Sequence, residues 1–172
     1  MSCLCVHKSP PRGDFVTLGM NHMLSVGQIY ALLEEISDPE IPVISILDLG
    51  IVRDVQITDD HEAHIAITPT YSGCPAMDTI SMQIRMLLLS QGLKKVHIRQ
   101  VLSPAWTTDW MTEAGKEKMQ AYGIVPPQRK NGSSTALFDE EQLACPRCGS
   151  RDTGLISQFG ATSCKALYRC FS

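Results

Sequence analysis

The sequence predicts a mixed α/β fold, a two-layer sandwich of helices over a small sheet, followed by a small cysteine-rich unit. Three observations predict it. Apolar residues recur at helical spacing in 25–36 and 75–91. They alternate in 51–57, 63–68 and 95–102, as half-buried strands do. Finally, "VPPQRKNGSST" at 125–135 separates this patterned part from a tail that holds four cysteines. Helix and strand patterns that interleave in this way favour helices packed over one sheet.

Residues 1–23 contain Pro10, Pro11 and Gly13 without periodicity, and are expected to be a disordered tail carrying Cys3 and Cys5. In 25–36, Ser25 and Gln28 form a capping-box pair, while Val26, Ile29, Leu33 and Ile36 share one face. "SDPEIPVISILDLGIV" follows. Pro39 and Pro42 forbid a regular helix there, and Gly50 turns the chain into the strand 51–57. Asp59 and Asp60 make a turn before the strand 63–68, giving an antiparallel hairpin. Residues 75–91 are the clearest helix: Met77, Ile80, Ile84, Leu87 and Leu88 form a core stripe that Gly92 closes. A third strand covers 95–102. After "SPAWTTDWM", Thr112 caps a short helix that stops at Gly123. Trp106 and Trp110 in that string suit either a core plug or an exposed anchor for a partner. The first domain is read as 24–124, the linker as 125–139 and the second domain as 140–172.

With 44% hydrophobic residues in 172, the chain can bury a core. A net charge of −3 implies no broad basic face, which argues against nucleic acid as a partner. No apolar run approaches a membrane span, and "MSCLCVHKSPPRGDF" lacks the apolar core of a signal peptide. The expected location is therefore the cytoplasm, where seven cysteines mean reduced thiols and metal rather than disulfides.

The string "TPTYSGCPAMDTI" places Cys74 between a strand end and a helix start. Cys74 is expected to be the N-cap, with Pro75 at N1 and Gly73 letting the backbone bend. Unpaired N–H groups and the helix dipole would then favour a thiolate, ready for a soft metal or an electrophile. The plainer alternative is a small buried hydrophobe. A nucleophilic cysteine would need a base beside it, and His61, His64 and His97 lie on or beside strands with none directed at this end. Asp38 and Glu40 flank Pro39 on a rigid loop, with Asp48 nearby. These carboxylates are either helix stops facing solvent or hard oxygen ligands around the Cys74 sulfur.

In the tail, "CPRCG" has the spacing of a zinc knuckle, Cys145 and Cys148 gripping one ion, with Cys164 and Cys170 as a second pair across a hairpin at 155–163. Four thiolates would complete a tetrahedral site, with zinc favoured over iron when there is no redox demand. So small a zinc-ribbon-like unit lacks a core of its own, whereas structural zinc contributes on the order of 10 kcal/mol or more.

"DPEIP", "DLGIV" and "PTYSGCP" together resemble the SufT-like domain family of iron–sulfur cluster assembly proteins, over residues 25–122. With "SPAWTTDWM" and "SQFGATSCKALYRC", the whole chain resembles the PaaD family, accessory components encoded with the phenylacetyl-CoA epoxidase of aerobic phenylacetate breakdown. The resemblance implies a role beside a multicomponent oxygenase with a di-iron catalytic subunit and a flavin and iron–sulfur reductase. Its partners would be those oxygenase and reductase subunits. The chain would assemble or load a metal centre, with Cys74, Asp38 and Glu40 handling iron or a cluster transiently. It would not act on the aromatic substrate. The family's tails carry a further cysteine three residues past the position of Cys170, where this sequence has ended at Ser172. That pattern implies Cys145, Cys148, Cys170 and the missing residue as zinc ligands; either Cys164 completes the set here, or a ligand is lost and the tail is partly unfolded. Two other readings stand beside this one: a non-catalytic structural subunit of the oxygenase with Cys74 inert, and a zinc-ribbon nucleic-acid binder, which the acidic balance opposes. Self-association is left open.

Overall fold

The computed structural model describes residues 24–127, 143–162 and 164–172. The expected N-terminal tail with Cys3 and Cys5, and positions 128–139 of the expected linker, lie outside the described residues. Ser25 starts the first helix, α1 (Val26–Leu33), by the reciprocal capping its sequence promised. Its hydroxyl accepts from the Gln28 N–H at 3.3 Å, and the Gln28 side chain accepts from the Ser25 N–H at 2.8 Å. The helix ends earlier than its apolar pattern. Beyond Leu33 the backbone turns, and Ser37 bridges to Ser45, while Ile36 still reaches the core.

The strands β1 (Val52–Ile57) and β2 (Glu62–Ile67) pair antiparallel, with Val55 opposite Ile65, as the hairpin reading requires. From β2 the chain passes through α2 (Ala76–Ser90) and returns as β3 (Lys95–Gln100), parallel to β2. The sheet order is β1-β2-β3. A parallel pair needs a crossover of this length, and the crossover helix covers one sheet face. Ala63, Ile65 and Ile67 point to that face and meet Ile80, Ile84 and Leu88 of α2 and Ile29 and Leu33 of α1 in one core. Burying each such aliphatic side chain is worth about 1.5–3 kcal/mol. The opposite face is polar: His64 and His97 are both exposed there. The fold is thus the mixed α/β arrangement the patterns predicted. The β2–α2–β3 crossover sets the strand end of β2 and the start of α2 side by side, and Cys74 lies between them.

The last helix of this part, α3 (Glu113–Tyr122), does not stack on the sheet. Thr112 caps it, accepting from the Gly115 N–H at 2.9 Å, and Gly123 ends it in the left-handed region. It packs instead on the loop before β1, where Gly115 lies against Asp48: a Cβ on Gly115 would come within 2.8 Å of the Asp48 Cβ. Gly50 is as constrained. Its φ is +67°, and a Cβ there would sit 2.4 Å from the Trp110 carbonyl oxygen. Both tryptophans lock this loop. The Trp106 indole donates to the Leu49 carbonyl at 2.8 Å, and Arg53 lies 3.5 Å over the Trp110 ring.

Among the described residues, one buried side-chain group lacks a partner. Thr68, following β2, is 1% exposed, and its hydroxyl has no hydrogen bond among the described residues. An unmet buried hydroxyl costs about 1–3 kcal/mol. Thr68→Val, of the same shape, is therefore expected to raise stability by about 1 kcal/mol, read as a higher midpoint in urea with unchanged slope. A lower midpoint would show that the hydroxyl is satisfied in solution.

The cysteine-rich part forms a two-stranded antiparallel ribbon, β4 (Thr153–Ser157) with β5 (Leu167–Cys170). This corrects the expected hairpin at 155–163. The returning strand begins after Cys164, because residues 158–162 and 164–166 belong to a longer connection with its own turn: the Gly160 N–H bonds the Lys165 carbonyl and the Lys165 N–H bonds the Thr162 carbonyl. Cys164 therefore sits in the connection, and Cys170 at the far end of the ribbon.

Candidate functional site

Cys74 precedes α2 by two residues. The N-cap is Pro75, which offers no side-chain cap, so the expected placement of Cys74 at the N-cap is off by one. Gly73, at φ +83° with open space where a Cβ would be, makes the bend that brings the sulfur in against the core edge. Burial pushes the Cys74 thiol above its ordinary range. The Ala76 N–H and the Tyr71 side chain oppose this, but the negative charges of Glu40 and Asp38 reinforce it. The expected thiolate is thus corrected. A single amide at the helix entrance is outweighed by desolvation and two carboxylates. The charges of the acidic loop are thus felt at this sulfur.

That loop is built by Asp38. Its side chain is buried, and its Oδ1 accepts from the Glu40 N–H at 2.9 Å and the Ile41 N–H at 2.8 Å, folding "DPEIP" over itself. The Asp38 N–H in turn donates to the Ile44 carbonyl at 2.9 Å. Asp38 organises the loop, and Glu40 is the residue it presents. Asp48, the third carboxylate considered from sequence, turns away to α3. It accepts from Thr112 at 2.7 Å, from Lys118 at 2.6 Å and from the Ser45 N–H at 3.2 Å.

Glu40 has a second neighbour that spacing did not foretell. The Cys164 thiol donates to Glu40 Oε2 in a short contact, and Lys165 Nζ donates to the Glu40 carbonyl at 2.9 Å. The ribbon connection thus rests on the acidic loop. Cys164 is consequently not with the other tail cysteines. The sulfurs of Cys145, Cys148 and Cys170 lie within 4.8 Å of one another, Cys148 and Cys170 being 3.6 Å apart. Their donor set suits a thiophilic dication such as zinc. The backbone N–H groups of Arg147 and Cys148 bring the Cys145 thiol down to about 7, close to the ionised state a metal requires. Among the described residues this cluster has three sulfurs, and Cys164, expected as the fourth, lies at the other end of the ribbon.

No histidine among the described residues serves Cys74. His64 and His97 stack with ring centres 4.6 Å apart on the polar sheet face, where the parallel register sets them side by side. With Glu62 their ligand atoms fall within 4.8 Å, a grouping of metal-binding type invisible without the register. Glu62 is already engaged by Lys95 at 2.9 Å and His97 at 3.2 Å, so a dication there would have to displace an ammonium.

Residues 27–99 match the iron–sulfur cluster assembly protein family, and residues 129–172 match the PaaD zinc beta ribbon domain. A protein of Escherichia coli (strain K12), provisionally named as a 1,2-phenylacetyl-CoA epoxidase component, is 48% identical over 147 residues, covering 86% of this chain and 87% of that protein. The chain belongs to the PaaD family. Its first part is also similar to an Fe-S protein maturation auxiliary factor of Bacillus subtilis (strain 168), 35% identical over 51% of this chain and 86% of that protein. A crystal structure of a domain of unknown function from Bacillus anthracis superimposes with a TM-score of 0.51 at 28% identity, over 54% of this chain and 89% of that one. This PaaD-family chain therefore joins an iron–sulfur assembly domain, which holds Cys74 and the acidic loop, to a ribbon with a metal-binding type of cysteine cluster. Among the described residues, no helix is long and apolar enough to cross a membrane.

Proposed function

We propose that this protein is a maturation component of a phenylacetyl-CoA epoxidase, handling iron or an iron–sulfur unit in transit to the oxygenase or reductase subunits in the cytoplasm. One observation carries the reading: a half-buried thiol shares its surroundings with the charges of Glu40 and Asp38 at the mouth of a βαβ crossover. An anionic group beside a thiol is unhelpful to a nucleophile, because it disfavours the thiolate. Beside a cation it is useful, since the metal ionises the thiol and neutralises the carboxylates together. A thiol and a carboxylate also form a mixed soft and hard donor set, suited to holding ferrous iron without trapping it. Asp38 shapes the loop, Glu40 faces the cargo and Cys74 supplies sulfur. The two working units are residues 24–124 and 140–172, joined by 125–139, and the ribbon cysteines Cys145, Cys148 and Cys170 hold a structural zinc.

Cys74→Ser tests it. The variant is expected to fold and to keep its zinc, yet to abolish support of epoxidase activity when the partner subunits are matured in its presence. Iron and sulfide content of those subunits should fall in parallel. Full support by Cys74→Ser would leave this protein a passive subunit of the oxygenase.

A further inference from the structure

We propose that His64, His97 and Glu62 form a surface site for one divalent cation of the zinc and nickel class, on the polar face of the sheet. The proposal goes beyond the function just given and does not depend on it. Glu62 opens β2, whereas Cys74 follows the far end of that strand. Each of the three residues can offer one ligand atom, and these atoms all lie within 4.8 Å of one another.

The parallel register builds the site. It pairs His64 with His97 and Glu62 with Lys95, and side chains two residues apart on a strand share a face. Ala63 and Ile65 are buried against the core on the other face, so the strand that carries two of the ligands is held in place. His97 Nε2 lies 3.2 Å from Glu62 Oε2. Nitrogen and oxygen ligands about 2.0–2.2 Å from one zinc ion stand roughly 2.8–3.6 Å from each other. This pair therefore already has the separation of two ligands on one metal. The His64 and His97 rings stack at 4.6 Å with an angle of 11° between their planes, which leaves their lone pairs nearly parallel. Both rings are exposed, and a modest turn of each makes those lone pairs converge. Two imidazoles and a carboxylate suit borderline dications, and three protein ligands leave a position for water or for a donor from another molecule. Lys95 is the competitor. Its ammonium holds Glu62 at 2.9 Å, but its side chain is 66% exposed, and ion pairs so placed are weak.

The zinc-loaded full chain, with Cys3 and Cys5 replaced by serine and His7 and His22 by glutamine, should be titrated with Ni2+ by calorimetry while its zinc content is followed. One nickel ion per chain is expected, taken up without release of zinc. His64→Ala and His97→Ala should each weaken binding about tenfold or more, since even the loss of a ligand's hydrogen-bond partner costs that much. Lys95→Met should tighten binding about two- to fivefold, because it frees the carboxylate from an exposed ion pair. Nickel bound equally well by both histidine variants overturns the site. Nickel gained at the expense of zinc also overturns it, placing the metal in the ribbon cluster. Unchanged affinity in Lys95→Met would show that Glu62 stays with its ammonium, and the three-ligand site falls.

Discussion

Asp48→Ala is expected to lower the stability of the part formed by residues 24–124 by about 2–4 kcal/mol, the cost of removing a buried charge that several donors share. Three elements meet on this carboxylate: the Ser45 N–H of its own loop, the Thr112 hydroxyl that caps α3, and Lys118 within α3. Gly115 exists to let that helix approach it. Loss of Asp48 therefore unseats α3 as well as one ion pair. The acid response follows with a definite sign. Burial acts to raise the Asp48 pKa, but the bonds from Lys118, Thr112 and Ser45 outweigh it and hold the carboxyl below its ordinary 3.8. A carboxyl depressed in the folded state contributes fully above its unfolded value, near pH 4, and the contribution is lost as pH falls through the folded value. Urea midpoints measured between pH 2 and pH 7 should fall on the acid side for the native sequence. In Asp48→Asn the curve should start lower and be flatter below pH 4. Equal acid slopes in the two proteins would show that Asp48 is not the titrating group.

The regular elements were legible because local chemistry and burial agree in them. The Ser25–Gln28 box, the stripe of Met77, Ile80 and Ile84, and Thr112 with Gly123 each mark an element the structure contains. The candidate site was legible only in its membership. That the charges of Asp38 and Glu40 bear on Cys74 fits the kinked loop, but the protonation of Cys74 depends on burial, which motifs do not carry. The ribbon misled for a clearer reason. Cys164 and Cys170 are close in sequence and read as a pair, yet Cys164 lies in the connection before the strand Leu167–Cys170 and Cys170 at its far end. Pairings across strands, such as His64 beside His97, and across units, such as Glu40 with Cys164, depend on register and docking. Neither leaves a periodic trace.

Cys145→Ala is expected to abolish zinc binding, from about one ion per chain to none, and to unfold the ribbon while residues 24–124 stay folded. The described residues of the ribbon have no core of their own. Every buried apolar residue of the described chain lies between Ile29 and Met119. The ribbon's own large side chains face solvent, Ile156 and Phe159 each 64% exposed and Phe171 58%. Two short strands with no apolar interior do not hold together in water. A thiolate-bound zinc supplies about 10–16 kcal/mol to a unit of this kind, far more than the ribbon's hydrogen bonds return. The Cys145 thiol, brought down to about 7 by the Arg147 and Cys148 N–H groups, is already close to ionised, so its removal takes away a sulfur ready for the metal. Lowering the pH should act in the same direction, since protons compete with zinc for each sulfur. Metal analysis should detect the loss, and amide exchange should find rapid exchange in Thr153–Ser157 and Leu167–Cys170 with protection retained in β2 and α2. Zinc retained in Cys145→Ala would exclude this cluster as the zinc site. Zinc lost with the ribbon amides still protected would mean that docking on Glu40, rather than metal, holds the two strands together.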